Sequence, residues 1–535
     1  MAASVDGGRV RRSPGARNCT IVRPPHTQAW GCHAEVSRQR SHTLAGLYQQ
    51  ADVRSARRRR SRCSARSSLS ATLDVFVSKR RARMPKYPFP DDMFTPPDER
   101  TEDWPDDLEL RRAVDWFKSK MTADEWEARR LAAAERLYDA ALHNITDTKG
   151  RFFEARDTFG WYLFLAEANL DHVWNYEPVF GSRVIPVFKA IGRDFDALKT
   201  VAGVEDRIAE IVGKNRSQPN GGLFELLVAS AYLREGAEVA FVPEQPGVAK
   251  THDLDATIDG VTWAVECKRM EVGDTGDHER NRIRELWNPI AHHLARAGRS
   301  ILAEVEFHVP LKDLPDDHLV RRVASVVLGG SKSVSWDDAS STGVIKPLDM
   351  GPVKAVLADN DLMQGSSRLM ELLTGRYVRN MPYNTVLKAK FGGNPRYITD
   401  LDLAVVLRYE VTAEAAIDAK ARDIFRKLRE ANQQLPSDRP SVVHIGFEAV
   451  EGDRIEKARY EKILATTERF DPEGKPLEWV YCHYFVPESP PDESWAFDET
   501  TQWAAIRPQH PKPLDKPFLI MPDSADGRTG PHWQV

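Results

Sequence analysis

Residues 251–269 read THDLDATIDGVTWAVECKR and contain the strongest fold signal in the chain. Asp259-Gly260 is flanked by alternating apolar and polar residues, which is typical of a β-hairpin closed by a two-residue type I′ turn. Such a turn fixes the register of the two strands. Counted outward from the turn, Asp253 is predicted to lie directly opposite Glu266.

The predicted hairpin has one apolar and one polar face, because successive side chains of a strand point to opposite faces. The polar face carries Asp253, Asp255, Glu266 and Lys268, with Lys268 two residues beyond Glu266. The apolar face, which includes Cys267, must pack on another element. The apolar helix immediately upstream is the nearest candidate.

The opposed carboxylates of this hairpin suggest a metal site. Like charges directly opposite each other destabilise a strand pair, so Asp253 and Glu266 require a positive group between them. Carboxylate oxygens suit Mg²⁺, and Lys268 on the same face could orient a phosphate or an attacking water. Asp255 shares the face and is the second choice as a ligand. The alternative is that the hairpin simply turns a polar face to water.

One carboxylate stands alone in an apolar segment upstream of the hairpin. Glu225 is the only charge in LFELLVASAYL, residues 223–233. Gly236 is a typical helix C-cap, so we predict that this segment is a helix ending there. Three short strands are predicted to follow it, of which the last two form the hairpin. A buried carboxylate is rarely left without a partner, and Glu225 would be satisfied beside the same metal.

A helix with an acidic residue, a strand, and then Asp…Glu-x-Lys across a hairpin resembles the PD-(D/E)XK nuclease superfamily. The matching residues are Glu225, Asp253, Glu266 and Lys268, and His252 stands where the family often has Pro. The resemblance implies an α/β (α+β) fold with a restriction-endonuclease-like mixed sheet flanked by helices. It also implies that Asp253, Glu266 and Glu225 bind Mg²⁺, or alternatively Mn²⁺, and that Lys268 serves the nucleophilic water.

A core of this kind needs a further helix and strand to complete its sheet, and two segment pairs qualify. One is the helix over 280–297 followed by SILAEVEFHV. The other is the helix over 413–434 followed by SVVHIGFEAV, which would make residues 270–400 a long insertion. In some relatives a Gln near the end of this helix approaches the active site, which would single out Gln433 or Gln434. The sequence leaves both pairs open.

Composition and periodicity divide the rest of the chain. The Arg-rich leader has no sustained apolar period, and because composition changes at Met84 we expect the functional chain to start there, without the leader. The predicted segments are a disordered basic leader (1–84), an all-helical N-terminal domain (85–215), a nuclease-like core (216–310), an irregular insertion (311–400), an α/β C-terminal part (401–508) and a Pro-rich tail (509–535).

Charge and cysteine content limit the function classes. The formal net charge is −4, but the leader is strongly basic and the remainder is acidic, so nucleic acid would have to bind a local basic groove. Five cysteines without a CxxC pair argue against a disulfide framework and a zinc site. No run reaches the ~18 apolar residues of a membrane span. We expect a cytoplasmic protein with no membrane partner, and a homodimer as one assembly.

These patterns predict a Mg²⁺-dependent hydrolase, an endonuclease that cleaves phosphodiester bonds in restriction, repair or defence, with DNA as the expected substrate. The alternative is a non-catalytic nucleic-acid or protein-interaction module that retains the nuclease-like fold. Convergence of Asp253, Glu266 and Lys268 favours the enzyme, because Mg²⁺ binds its ligands at ~2.0–2.1 Å and cannot join distant groups.

Overall fold

The computed structural model describes residues 19–22, 89–90, 92–100, 104–143, 152–243, 251–328, 333–522 and 530–534. The chain divides into two compact units, Met1–Trp30 with Phe89–Val535, and Gly31–Pro88. All described residues belong to the first unit. The predicted leader over 1–84 therefore lies outside the described residues, except for one short strand over 19–22.

After one short strand comes a run of helices, over 108–234, and strands and helices are interspersed in the rest of the described residues. The strands are β1 (Cys19–Val22), β2 (Glu238–Phe241), β3 (Leu254–Ile258), β4 (Val261–Met270), β5 (Ile301–Phe307), β6 (Val334–Asp337), β7 (Ser341–Pro347), β8 (Leu362–Met363), β9 (Tyr383–Phe391), β10 (Tyr397–Val411), β11 (Ser441–Glu448), β12 (Leu477–Glu488) and β13 (Ala496–Ala505). The helices are α1 (Leu108–Lys118), α2 (Ala123–His143), α3 (Thr158–Asp171), α4 (Pro178–Arg193), α5 (Phe195–Leu198), α6 (Val204–Val212), α7 (Asn220–Arg234), α8 (Asp274–Arg296), α9 (His318–Leu328), α10 (Gly351–Leu357), α11 (Ser367–Thr374), α12 (Glu414–Lys420), α13 (Phe425–Gln434) and α14 (Asp453–Arg469).

The larger sheet contains the hairpin. Its strand order is β1-β13-β12-β11-β4-β3-β2. Strands β2, β3 and β4 are antiparallel neighbours, β11 runs parallel to both β4 and β12, and β13 is antiparallel to β12. The sheet is therefore mixed, and the protein is of mixed α/β class.

The hairpin register is as predicted up to its last pair. Leu254 pairs with Val265, and Asp259 and Gly260 have φ angles of 51° and 78°, as a type I′ turn requires. The Asp253 N–H donates to the Val265 carbonyl at 3.1 Å, so the backbone pairing ends there. The prediction that Asp253 is directly opposed to Glu266 is wrong for the backbone, although the side chains still interact.

Strand β4 lies between β3 and β11 in the middle of the sheet, and the helices α7 and α13 both contact it. On the face of Cys267, the hydroxyl of Tyr232 in α7 lies 3.2 Å from Nε2 of His444, which is aligned with Cys267. This confirms that the apolar face packs on the upstream helix. Glu266 is on the other face and is 0% exposed, so the alternative of a solvated polar face is wrong.

Strand β11 and the preceding helix α13 complete the sheet. Val443, which is aligned with Glu266, packs in one apolar cluster with Leu428, Ala431 and Leu435 from α13 and its end. Of the two helix and strand pairs that the sequence left open, the second is therefore the one used. Strand β5, from the first pair, lies in the other sheet.

The segment between β4 and α12 builds a second sheet rather than an irregular insertion. Its strand order is β6-β7-β5-β10-β8, with β9 also paired to β10. The predicted boundary at 310 is wrong, since β5 belongs to this sheet, and so is the boundary at 400, since β10 runs across it. Pairing of β5 with β10 is parallel and joins segments about 100 residues apart, which local patterns cannot reveal.

The helices α1–α6 account for the helical pattern predicted over 85–215. They belong to the same compact unit as both sheets, so they are not set apart as a domain. Arg396 ties them to the second sheet, because its guanidinium donates to the carbonyls of Trp174 and Tyr176 at 2.7 Å each. Among the described helices, none is long and apolar enough to cross a membrane.

Candidate active site

Three carboxylates from different elements form one cluster, in which Glu266 is buried and Glu225 and Asp253 are half-buried. Glu225 lies on α7, Asp253 directly precedes β3, and Glu266 lies on β4. Their charges act on one another: Asp253 and Glu266 both raise the pKa of Glu225, although burial is the largest cause. The fold therefore places the three acids within electrostatic range of one another.

A backbone hydrogen bond fixes the Asp253 carboxylate. Its Oδ2 accepts the N–H of Cys267 at 2.7 Å, where the backbone pairing of the hairpin has ended. Burial raises the pKa of Asp253, and the Cys267 N–H and the positive charge of Lys268 oppose that rise. The side chain is thus held at the end of the hairpin, facing Glu266.

Glu266 is the most deeply buried member of the cluster. Its Oε1 accepts from Nζ of Lys268, while its Oε2 has no hydrogen-bond partner among the described residues. Burial, and next the charge of Asp253, raise the pKa of Glu266 to about 8. A carboxylate oxygen that is buried without a donor is costly, and a bound cation would satisfy it.

Lys268 is paired with Glu266 rather than exposed to solvent, and its side chain is 18% exposed. Burial lowers the pKa of Lys268, but the charge and hydrogen bond of Glu266 outweigh burial, so that the pKa lies above its ordinary value. Lys268 therefore stands in the cluster as a cation and hydrogen-bond donor.

Gln434, the last residue of α13, reaches the same two side chains. With the amide oriented to satisfy its neighbours, its nitrogen donates to Glu266 Oε1 at 3.1 Å and its oxygen accepts from Lys268 Nζ at 3.0 Å. Gln433, the other auxiliary candidate, is exposed. The structure therefore places Gln434, and not Gln433, at the cluster.

Asp255, the second-choice ligand, does not join the cluster. Its Oδ1 lies 2.8 Å from Nε2 of His252 and 3.2 Å from Nη1 of Arg439. These contacts occupy the carboxylate at the edge of the site, where 35% of the side chain is exposed. Side-chain alternation puts Asp255 on the correct face, but only the tertiary contacts show that it is already paired.

Arg207 is a member of the cluster that the sequence did not indicate. On α6, its Nε lies 3.0 Å from Glu225 Oε2, although no hydrogen bond of normal geometry reaches that oxygen from the described residues. The one available signal was that a lone Glu in an apolar helix needs a cation. That signal does not say which of the many arginines supplies it.

The carboxylate oxygens of the cluster are donors of the kind that a hard divalent cation binds. Three carboxylates face two cations, Arg207 and Lys268, and Oε2 of Glu266 is buried without a hydrogen bond from the described residues. Oxygen donors of this kind are those that Mg²⁺ prefers. Within the described ranges, however, no three His, Cys, Asp or Glu side chains already meet in a metal-binding arrangement.

Comparison of the chain with protein-family models, with curated proteins and with solved structures finds no match.

Proposed function

We propose that this protein is a metal-dependent nuclease of the PD-(D/E)XK type that hydrolyses phosphodiester bonds, with DNA as its substrate. The observation that carries the proposal is the convergence of Glu225, Asp253, Glu266 and Lys268 in one cluster. The first of these lies on a helix and the other three on a hairpin, so their meeting depends on the tertiary fold.

The order of elements supports the fold proposed with this activity. An acidic helix, α7, precedes the strands β2, β3 and β4, and after the insertion the helix α13 leads into β11, which adds to the sheet beside β4. This is the arrangement expected of a restriction-endonuclease-like core. The further proposals of a cytoplasmic location and a homodimer rest on the sequence.

In this proposal Asp253, Glu266 and Glu225 would hold Mg²⁺ or Mn²⁺. When bound, such an ion neutralises developing charge on the phosphate and lowers the pKa of a water. The ammonium of Lys268 donates to a phosphate oxygen or orients the attacking water. Gln434 holds Lys268 by accepting one of its N–H groups, and the Cys267 N–H holds Asp253.

Exposed basic side chains on α13 are the proposed contacts for substrate phosphates. Helix α13, which ends at Gln434, exposes Arg426 and Arg429. Contacts of this kind fix the position of a nucleic acid without reading its sequence. They would supply the local positive groove that an otherwise acidic body requires.

The second candidate function is a non-catalytic nucleic-acid or protein-interaction module that retains the fold. One observation favours it: the pairing of Lys268 with Glu266 and of Arg207 with Glu225 lets the cluster balance most of its charge internally. A buried set of ion pairs of this kind can be purely structural.

A cleavage assay separates the two functions. Plasmid and single-stranded DNA are incubated with the full chain in Mg²⁺, in Mn²⁺ or in EDTA, and the parent is compared with Lys268→Ala, Glu266→Gln and the matched control Asp255→Asn. We expect metal-dependent cleavage that falls roughly 10²-fold or more in the first two variants and persists in the control.

Equal cleavage by the parent and by the Lys268 and Glu266 variants would overturn the nuclease assignment. Absence of cleavage with either metal, combined with retained DNA binding in a filter or mobility assay, would favour the non-catalytic module.

A further inference from the structure

Arg207 forms a buried ion pair with the helical acid of the cluster. Its Nε lies 3.0 Å from Glu225 Oε2, and the two side chains are 10% and 12% exposed. Glu225 has apolar neighbours along α7, and no other cation is paired with it among the described residues. The direction in which its carboxylate points therefore depends on Arg207.

Arg207 is itself held from two other sides. Its Nη1 donates to Glu210 Oε2 at 3.2 Å, one turn further along α6. The guanidinium also lies 5.6 Å from the ring centroid of Phe241 on β2, within the range of a cation–π contact. A planar guanidinium fixed at several points orients a carboxylate more precisely than a flexible ammonium does.

The approach of α6 to α7 that makes this contact depends on a glycine. A Cβ added to Gly222 would lie 2.6 Å from Cγ1 of Ile211 on α6. Because Ile211 and Arg207 are four residues apart, they lie on the same side of α6. Close packing of α6 on Gly222 therefore brings Arg207 to Glu225.

We propose that Arg207 is a positioning residue for the divalent-metal site, in that it orients the Glu225 carboxylate toward Asp253 and Glu266. This inference rests on the metal site of the proposed function. Groups that bind and orient a metal ligand, without touching the metal, typically contribute 10- to 100-fold to metal affinity. We expect Arg207 to contribute an amount of this order, and to act only through Glu225.

The test measures metal binding directly, without nucleic acid. Mn²⁺ binding to the full chain is measured by electron paramagnetic resonance at one fixed pH for the parent, Arg207→Met, Arg207→Lys, Glu225→Gln and the Arg207→Met/Glu225→Gln double variant. Arg439→Met is the matched control, since it removes an arginine paired with Asp255, an acid outside the cluster.

We expect Arg207→Met to weaken Mn²⁺ binding roughly 10- to 100-fold, Arg207→Lys to weaken it by less, and Arg439→Met to leave it unchanged. The double variant should bind Mn²⁺ as Glu225→Gln does, because Arg207 has nothing to orient once the carboxylate is gone. Such non-additivity would not arise from general destabilisation. If circular dichroism shows that Arg207→Met does not fold, Arg207→Lys replaces it in the comparison with Glu225→Gln and the double variant.

Two results would overturn the inference while leaving the nuclease proposal intact: parental affinity in Arg207→Met, or an equal loss of affinity with and without Glu225. If the parent itself binds no Mn²⁺, the inference and the metal site of the proposed function both fail.

Discussion

Asp253 accepts the backbone N–H of Cys267 through its carboxylate at 2.7 Å, so a side chain takes the place of a backbone carbonyl at the end of the hairpin. The same carboxylate is a proposed metal ligand. Structure and function at this residue can be separated, because an amide oxygen can accept the same hydrogen bond but is a much poorer ligand.

We therefore expect Asp253→Asn to fold with nearly the parental free energy of unfolding and to lose metal-dependent cleavage. Asp253→Ala should lose cleavage and should also have a lower free energy of unfolding. The buried Cys267 N–H is then left without an acceptor, at a cost of roughly 1–3 kcal/mol. Urea unfolding in EDTA and the cleavage assay check the two variants. Equal unfolding free energies for Asn and Ala would contradict the structural role of the carboxylate.

Gln434 and Gln433 form a matched pair for testing the auxiliary residue. Gln434→Ala removes the amide that lies 3.1 Å from Glu266 Oε1 and 3.0 Å from Lys268 Nζ, so we expect a fall in kcat of about tenfold or more from a misplaced lysine. Gln433→Ala changes an exposed side chain and should leave kcat unchanged. Similar kinetics for both variants would remove Gln434 from the site.

The raised pKa of Glu266, about 8 against an ordinary value of 4.5, predicts how stability depends on pH without metal. An acid whose folded pKa is raised binds its proton more tightly in the folded state. The contribution of Glu266 to the free energy of unfolding is therefore fully present below pH ~4.5. It is lost as pH rises through 8, at up to ~1.4 kcal/mol per pH unit. Asp253 and Glu225, whose pKa values are also raised, act in the same direction.

Glu266→Gln should consequently flatten the decline in unfolding free energy between pH 5 and pH 9, measured by urea titration in EDTA. The variant should equal or exceed the parent in stability at pH 9. Parallel pH profiles for the two proteins would show that Glu266 does not carry this burial cost.

Gly221 and Gly222 at the start of α7 form a matched pair. Substituting each by Ala separates the effect of the contact between α6 and α7 from the effect of helix propensity. Gly222→Ala must displace Ile211, 2.6 Å from the added Cβ, whereas a Cβ at Gly221 meets nothing within 4 Å. We expect Gly222→Ala to destabilise the fold by roughly 1–3 kcal/mol and to weaken Mn²⁺ binding as Arg207 moves from Glu225. Gly221→Ala should be neutral or slightly stabilising. Comparable Mn²⁺ affinity in the two variants would show that the packing of α6 on Gly222 does not affect the metal site.

Local signals in the sequence were sufficient for the hairpin and its acids. Asp259-Gly260 has one favoured turn geometry, and that geometry sets the register from Ile258 and Val261 outward. Strand alternation then puts Glu266 and Lys268 on one face and Cys267 on the other. These relations involve residues close in the chain, so no knowledge of distant contacts was needed.

The boundaries of the insertion could not be obtained in this way. SILAEVEFHV and SVVHIGFEAV are both apolar strands that follow a helix, and either could lie parallel to β4. Only the packing of α13 against Val443, and of β5 against β10 in the second sheet, distinguishes them. Such choices depend on which surfaces bury together across long stretches of chain.

The sequence by itself thus determined the hairpin and the faces of its strands, because turn geometry and side-chain period are local properties. Tertiary structure alone decided that β11 completes the sheet, that Gln434 and Arg207 reach the cluster, and that Asp255 does not. Each of these depends on a contact between elements far apart in the chain, whose free energy comes from burial and charge pairing in the folded state.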